Sequence, residues 1–117
     1  MHYKLADQLA LQKKLPIIGK GNQIDIEEKF QRLLHEDYKI IEITLRSEEA
    51  LESASKLKEK YPNIKIGLGS IKSLSQLKIV SKQAFEFYVS PGINLKMMEY
   101  AKANKIDYIP GVSSPSE

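Results

Sequence analysis

The chain has 117 residues, enough for one small domain with its own core. Hydrophobic residues make up 42% and charged residues 28%, the balance of an ordinary globular protein and not of a disordered one. The net charge of +3 is interleaved along the chain without a Lys/Arg run, which argues against a nucleic-acid surface, and the lack of cysteine excludes disulfides, thiolate catalysis and cysteine-held metals.

No apolar run is long enough to span a bilayer, and the charged N-terminal stretch MHYKLADQLALQKK does not read as a signal peptide. A cytoplasmic protein with no membrane partner is the expectation. Residues Tyr3 to Lys13 place Leu5, Ala6, Leu9 and Ala10 at helical spacing. Leu15 to Gly19 (LPIIG) is a short apolar strand, with Pro16 near its start, where a missing N–H is tolerated. A polar turn over Lys20 to Gln23 leads into a helix over Asp25 to His35, with Ile26, Phe30, Leu33 and Leu34 on one stripe.

Ile40 to Arg46 (IIEITLR) reads as a strand, because β-branched residues dominate and the run is short. Strand side chains alternate, so Glu42, Thr44 and Arg46 share one face and Ile41, Ile43 and Leu45 the other. The apolar face is core. The polar face is either a solvated edge or a site, since buried charges are costly unless paired or used. Glu42 and Arg46 as a simple ion pair is the structural alternative.

Ser47 is the expected cap of the next helix, which carries Ala50, Leu51, Ala54 and Leu57 and closes at Pro62. Asn63 to Ser70 (NIKIGLGS) is a third strand. Ser73 and Gln76 form an S-x-x-Q capping box for a following helix. Ala84 to Ser90 is a fourth strand, stopped by Pro91 and Gly92, and Asn94 caps a helix with Leu95, Met98 and Ala101. Ile106 to Pro110 is a fifth strand.

Strand and helix alternate throughout, which implies a parallel sheet with right-handed crossovers. Two architectures remain open on the pattern alone, a doubly wound sheet and a (β/α)8 barrel. Gly19 and Gly21 supply only part of a dinucleotide fingerprint, and Gly67 to Ser70 is too short for a Walker-type phosphate loop. At the C-terminus, Ser114, Pro115 and Glu117 form a helix-start signal at the point where the sequence stops. Five predicted strands cannot close a barrel that takes about 250 residues, so the expectation is the N-terminal part of a longer protein.

Four motifs in order, Glu42 to Arg46 (EITLR), Gly67 to Ile71 (GLGSI), Val89 to Gly92 (VSPG) and Pro110 to Glu117 (PGVSSPSE), resemble the 2-keto-3-deoxy-6-phosphogluconate / 4-hydroxy-2-oxoglutarate aldolase family. Leu15 to Ile18 is similar to that family's first strand, and the resemblance covers Leu5 to Glu117. It implies an α/β fold, the (β/α)8 TIM barrel, here an incomplete barrel of about five βα units behind an N-terminal helix. Residues 1–117 would then be the N-terminal portion of one barrel domain.

The activity implied is that of a class I aldolase. Such an enzyme cleaves a 2-keto-3-deoxy sugar acid phosphate to pyruvate and glyceraldehyde 3-phosphate through a lysine Schiff base. The family resemblance also implies no metal and no cofactor, a keto-acid substrate, and a homotrimer. By resemblance Glu42 is the general acid/base, Arg46 and Ser70 bind the substrate carboxylate, Thr44 supports them, and Pro91 walls the pyruvate pocket.

The chain departs from the family pattern in three ways. The Schiff-base lysine belongs to a sixth strand that this sequence does not reach, so no residue of the chain takes that role and the chain alone is expected to be inactive. Lys39 and Lys65 lie at the wrong strand ends, and Lys72 has no matching motif. Leu68 stands where alanine is usual and is expected to share a face with Ser70 and crowd Glu42, while Asp37 replaces a glycine at a left-handed turn. A non-catalytic half-barrel that pairs with a partner and a different phosphosugar-barrel lyase are the alternative readings.

Overall fold

The computed structural model describes residues 3–111. Five helices alternate with five strands: α1 (Tyr3–Gln12), β1 (Ile17–Ile18), α2 (Gln23–His35), β2 (Ile40–Thr44), α3 (Glu49–Lys60), β3 (Lys65–Gly69), α4 (Leu74–Val80), β4 (Phe87–Ser90), α5 (Leu95–Ala103) and β5 (Tyr108–Pro110). The strands are all parallel and lie in the order β1-β2-β3-β4-β5. Each strand joins the sheet beside the one before it. A doubly wound sheet reverses order at a switch point, and this sheet has none, so the pattern is that of a barrel wall.

The outer face of the sheet carries the core. Ile18, Ile41, Ile43, Ile66, Leu68 and Tyr88 pack in one cluster against Ile26 and Phe30 of α2, Ala50, Ala54 and Leu57 of α3, Leu77 of α4, and Met97 of α5. Most of these are fully buried, and each large one is worth about 1.5–3 kcal/mol of burial. The inner face is different. Its amino-terminal end is closed by α1, whose Leu5 packs with Ile40 and Phe87, with Leu9, Val89 and Ile109 around them. Gln12 fixes α1 there: its side-chain oxygen accepts from the N–H groups of Lys39 and Ile40, and its amide donates to the Ile40 carbonyl. The carboxyl-terminal end of the inner face is left for polar groups.

Local signals account for most helix starts, with three corrections. Asn22 and Asp25 form a reciprocal capping box that starts α2 at Gln23, two residues before the position expected from the apolar stripe. Ser47 does not cap α3: its hydroxyl donates to the Gly21 carbonyl at 3.1 Å, and the cap position is Glu48. That bond ties the β2–α3 loop to the β1–α2 loop. Ser73 caps α4 as expected, but Gln76 reaches back to the N–H of Lys72, one residue before the cap. Asn94 caps α5. Asp37 sits at φ 66°, the left-handed conformation anticipated for the turn into β2. The expected helix start at Ser114 to Glu117 lies outside the described residues.

Candidate functional site

The site begins with β2. All five of its residues are buried, and alternation sends Ile41 and Ile43 to the helices and Glu42 and Thr44 inward. Glu42 is 5% exposed. Burial strips water from its carboxylate and pushes the pKa up to about 7, while the positive charge of Arg46 pulls it down in part. A carboxyl group poised there exchanges protons readily in both directions near neutral pH.

Two glycines of β3 leave room on the inner face, and one of them, Gly69, explains how Glu42 fits. A Cβ on Gly69 would lie 1.8 Å from Oε2 of Glu42, and one on Gly67 would lie 2.1 Å from the Phe87 ring. The carboxylate therefore rests against bare backbone of the neighbouring strand. Neither glycine has a positive φ, so the requirement is for space and not for backbone freedom. Thr44 is also buried, and its hydroxyl donates to the Ile18 carbonyl at 3.1 Å, pinning β1 to β2 beside the site. Ser70 follows β3 at φ 60°. This left-handed residue breaks the alternation of β3 and is a strained conformation for a residue with a Cβ.

Glu42, Thr44, Arg46, Ser70 and Pro91 all line one cavity of about 480 Å³ at the carboxyl ends of the strands. Ile17, Val89, Ser90 and Gly111 complete it. The structure thus brings together the five residues that the sequence reading placed in the site. Arg46 stands two residues past the end of β2, exposed at the rim. The Glu42–Arg46 ion pair does not form among the described residues, where the salt bridges are Glu52–Lys56 and Lys65–Glu86. The guanidinium and the carboxyl group therefore share the cavity without being tied to each other.

The expected intrusion of Leu68 is overturned. Leu68 pairs with Ile43 and packs in the outer cluster, away from Glu42, because residues 67 and 69 face inward and the turn at Ser70 changes the phase. Gly69, Gly111 and Ser90 are the contributors that sequence reasoning missed. Glycine in G-L-G was a readable signal of close backbone approach, but only the packing names Glu42 as the atom that approaches.

No lysine is among the described residues that line this cavity. Lys39 and Lys65 line a separate cavity of about 450 Å³ at the amino ends of the strands, and Lys72 lines a smaller one of about 210 Å³ beside Pro91 and Gly92. Among the described residues no group of three or more His, Asp or Glu is placed to hold a metal ion, and no helix is long and apolar enough to cross a membrane.

Comparison with known proteins agrees with this geometry. A family model described as KDPG and KHG aldolase matches residues 5–117. The chain is 29% identical over 103 residues to a 2-dehydro-3-deoxy-phosphogluconate aldolase of Pseudomonas aeruginosa, covering 88% of this chain and 47% of that protein. It superposes with a TM-score of 0.77 and 26% identity on the KDPG aldolase of Legionella pneumophila, solved with pyruvate captured as a covalent carbinolamine, over 87% of this chain and 50% of that one. The 2-keto-3-deoxy-6-phosphogluconate aldolase of Zymomonas mobilis gives a TM-score of 0.76 at 27% identity, over 87% and 49%. The chain therefore spans about half the length of the relatives it matches. Its five parallel strands alternating with helices and the match over residues 5–117 place it in the KDPG and KHG aldolase family.

Proposed function

We propose that this chain supplies the acid/base and carboxylate-binding half of a class I aldolase site, as one portion of a single barrel domain. The observation that carries the proposal is a buried carboxyl group that shares a cavity with a guanidinium it does not neutralise. The substrate is a 2-keto-3-deoxy sugar acid phosphate, and the products are pyruvate and glyceraldehyde 3-phosphate.

In the cleavage direction the keto carbon is held as an imine on a lysine. Loss of the C4 hydroxyl proton releases the aldehyde, and the electron pair of the broken C3–C4 bond moves into the imine to give an enamine. Protonation at C3 and hydrolysis then free pyruvate. Glu42 carries the protons in these steps, directly or through one water. Arg46 holds the substrate carboxylate with two parallel hydrogen bonds, Ser70 adds a hydroxyl, and Pro91 forms the wall. Thr44 positions β1 against β2.

The lysine comes from outside the cavity-lining residues described here. Borohydride reduction in the presence of pyruvate, followed by mass spectrometry of residues 1–117, tests this; an adduct on any lysine of this stretch refutes it. In the natural gene product that carries this chain, Glu42→Gln should abolish pyruvate release from the sugar acid phosphate. Normal turnover in that variant would remove Glu42 from the mechanism.

One observation favours a second reading, a keto-acid-binding half-barrel without chemistry: no lysine is among the described residues that line the cavity. Pyruvate binding without reducible adduct anywhere in the natural product would select it. The homotrimer and the cytoplasmic location belong to the aldolase proposal, and sedimentation and cell fractionation test them.

A further inference from the structure

Ser90 ends β4 directly before Pro91, and it is 1% exposed. A buried hydroxyl needs a partner, and Ser90 has two: the phenol of Tyr108 on β5 and the carbonyl of Gly92. Tyr108 is itself buried, and its hydroxyl lies 3.4 Å from the same Gly92 carbonyl. Tyr108 is in register with Tyr88, so it reaches Ser90 diagonally across the strand pair on the outer face. Either hydroxyl can donate to the other; with the phenol O–H donating to Ser90 Oγ, the Ser90 O–H donates to the Gly92 carbonyl, the shorter of the two contacts to that oxygen.

The backbone of Ser90 is held as well. Its carbonyl accepts from Gly111 N–H at 2.7 Å, and a Cβ on Gly111 would lie 2.5 Å from that oxygen. The result is a hydrogen-bonded collar around the Pro91–Gly92 turn, fixed at both ends. Pro91, Ser90 and Gly111 line the cavity that holds Glu42.

We infer that Tyr108 is a positioning residue for the keto-acid site: through Ser90 it clamps the Gly92 carbonyl and so sets where the Pro91 ring stands in the pocket wall. This rests on the keto-acid reading of the cavity. A free Pro91–Gly92 turn would leave the wall of the pocket to be ordered on binding, at a cost in affinity.

The experiment measures pyruvate affinity and thermal unfolding in the natural gene product that carries this chain. Tyr108→Phe removes one hydroxyl and keeps the ring. It should weaken pyruvate binding about fivefold to tenfold, the weight of one hydrogen bond, with the unfolding transition still cooperative. Ser90→Ala should weaken binding to a similar degree, the double variant should add little, and Ser90→Thr, which keeps a hydroxyl, should bind more tightly than Ser90→Ala. A role confined to stability would lower the unfolding temperature and leave affinity unchanged. Unaltered affinity in Tyr108→Phe, with the parent binding pyruvate normally, overturns the inference and spares the keto-acid reading. Failure of the parent itself to bind pyruvate overturns both.

Discussion

At the carboxyl ends of the strands Glu42, Arg46 and Ser70 border a cavity of about 480 Å³; at the amino ends Lys39, Lys65 and Asp37 border one of about 450 Å³. Size and the presence of charge do not separate the two. Solvation does. Lys39 and Asp37 are exposed, and Lys65 is paired with Glu86 at 3.3 Å, so their charges are already satisfied by water or by a neighbour. Glu42 is 5% exposed and its carboxylate is in no salt bridge among the described residues. Helix α1 also differs in effect at the two ends: Gln12 stitches it to the start of β2, making the amino end a sealed base, while no described helix covers the carboxyl end of the inner face. Chemistry belongs where a titratable group has been taken out of water and left without a fixed partner.

The largest effect expected at the carboxyl end is on turnover. Glu42→Gln keeps the shape of the side chain and removes proton transfer, so the rate of pyruvate release should fall about 10²–10⁴-fold. Steady-state assay of the natural gene product checks this.

The next prediction concerns pH. The pKa of Glu42 is raised from 4.5 to about 7, so the unfolded chain gives up this proton more readily than the folded one. The contribution of the protonated form to stability is present below pH 4.5 and is lost as pH rises through 7, a difference of about 3 kcal/mol for a shift of this size. Urea unfolding at pH 5 and pH 8 should show it, and Glu42→Gln should remove most of the difference. A pH-independent difference between parent and variant would show that Glu42 ionises freely in the fold.

Gly69→Ala sharpens the comparison by acting on Glu42 without touching it. The new methyl group would meet Oε2 at 1.8 Å, so the carboxyl group must move. A loss of about 1–3 kcal/mol in stability is expected, together with a fall in turnover. Equal turnover to the parent would mean that the position of the carboxyl group is not critical.

The smallest effect is expected at the amino end. Lys39→Ala should change stability by less than about 0.5 kcal/mol and leave turnover unchanged, as for an exposed side chain away from any network. A loss of turnover there would break the distinction between the two ends.

Much of this was legible in the residues. The five strands alternating with helices, the outward Ile41 and Ile43, and the grouping of Glu42, Thr44 and Arg46 all follow from period and alternation, which depend on local geometry alone. The four motifs EITLR, GLGSI, VSPG and PGVSSPSE in order carried the resemblance to the aldolases, and the match over residues 5–117 agrees with it. The misreadings fell where local and tertiary demands compete. Ser47 has the chemistry of a cap, but its side chain turns to the Gly21 carbonyl across the loop and accepts from no N–H of α3. Leu68 was assigned to the wrong face because alternation was carried through Ser70, whose left-handed backbone ends it.

The sequence by itself determined the element order, the core face of β2 and the family, because hydrophobic period and short motifs are written along the chain. Only the tertiary structure decided that Glu42 lies dry against Gly69, that Arg46 does not pair with it, and that Tyr108 reaches Ser90 across two strands. The contacts of Glu42 with Gly69 and of Tyr108 with Ser90 join residues distant in sequence, and the solvation of Glu42 is set only once the sheet has brought the strands side by side.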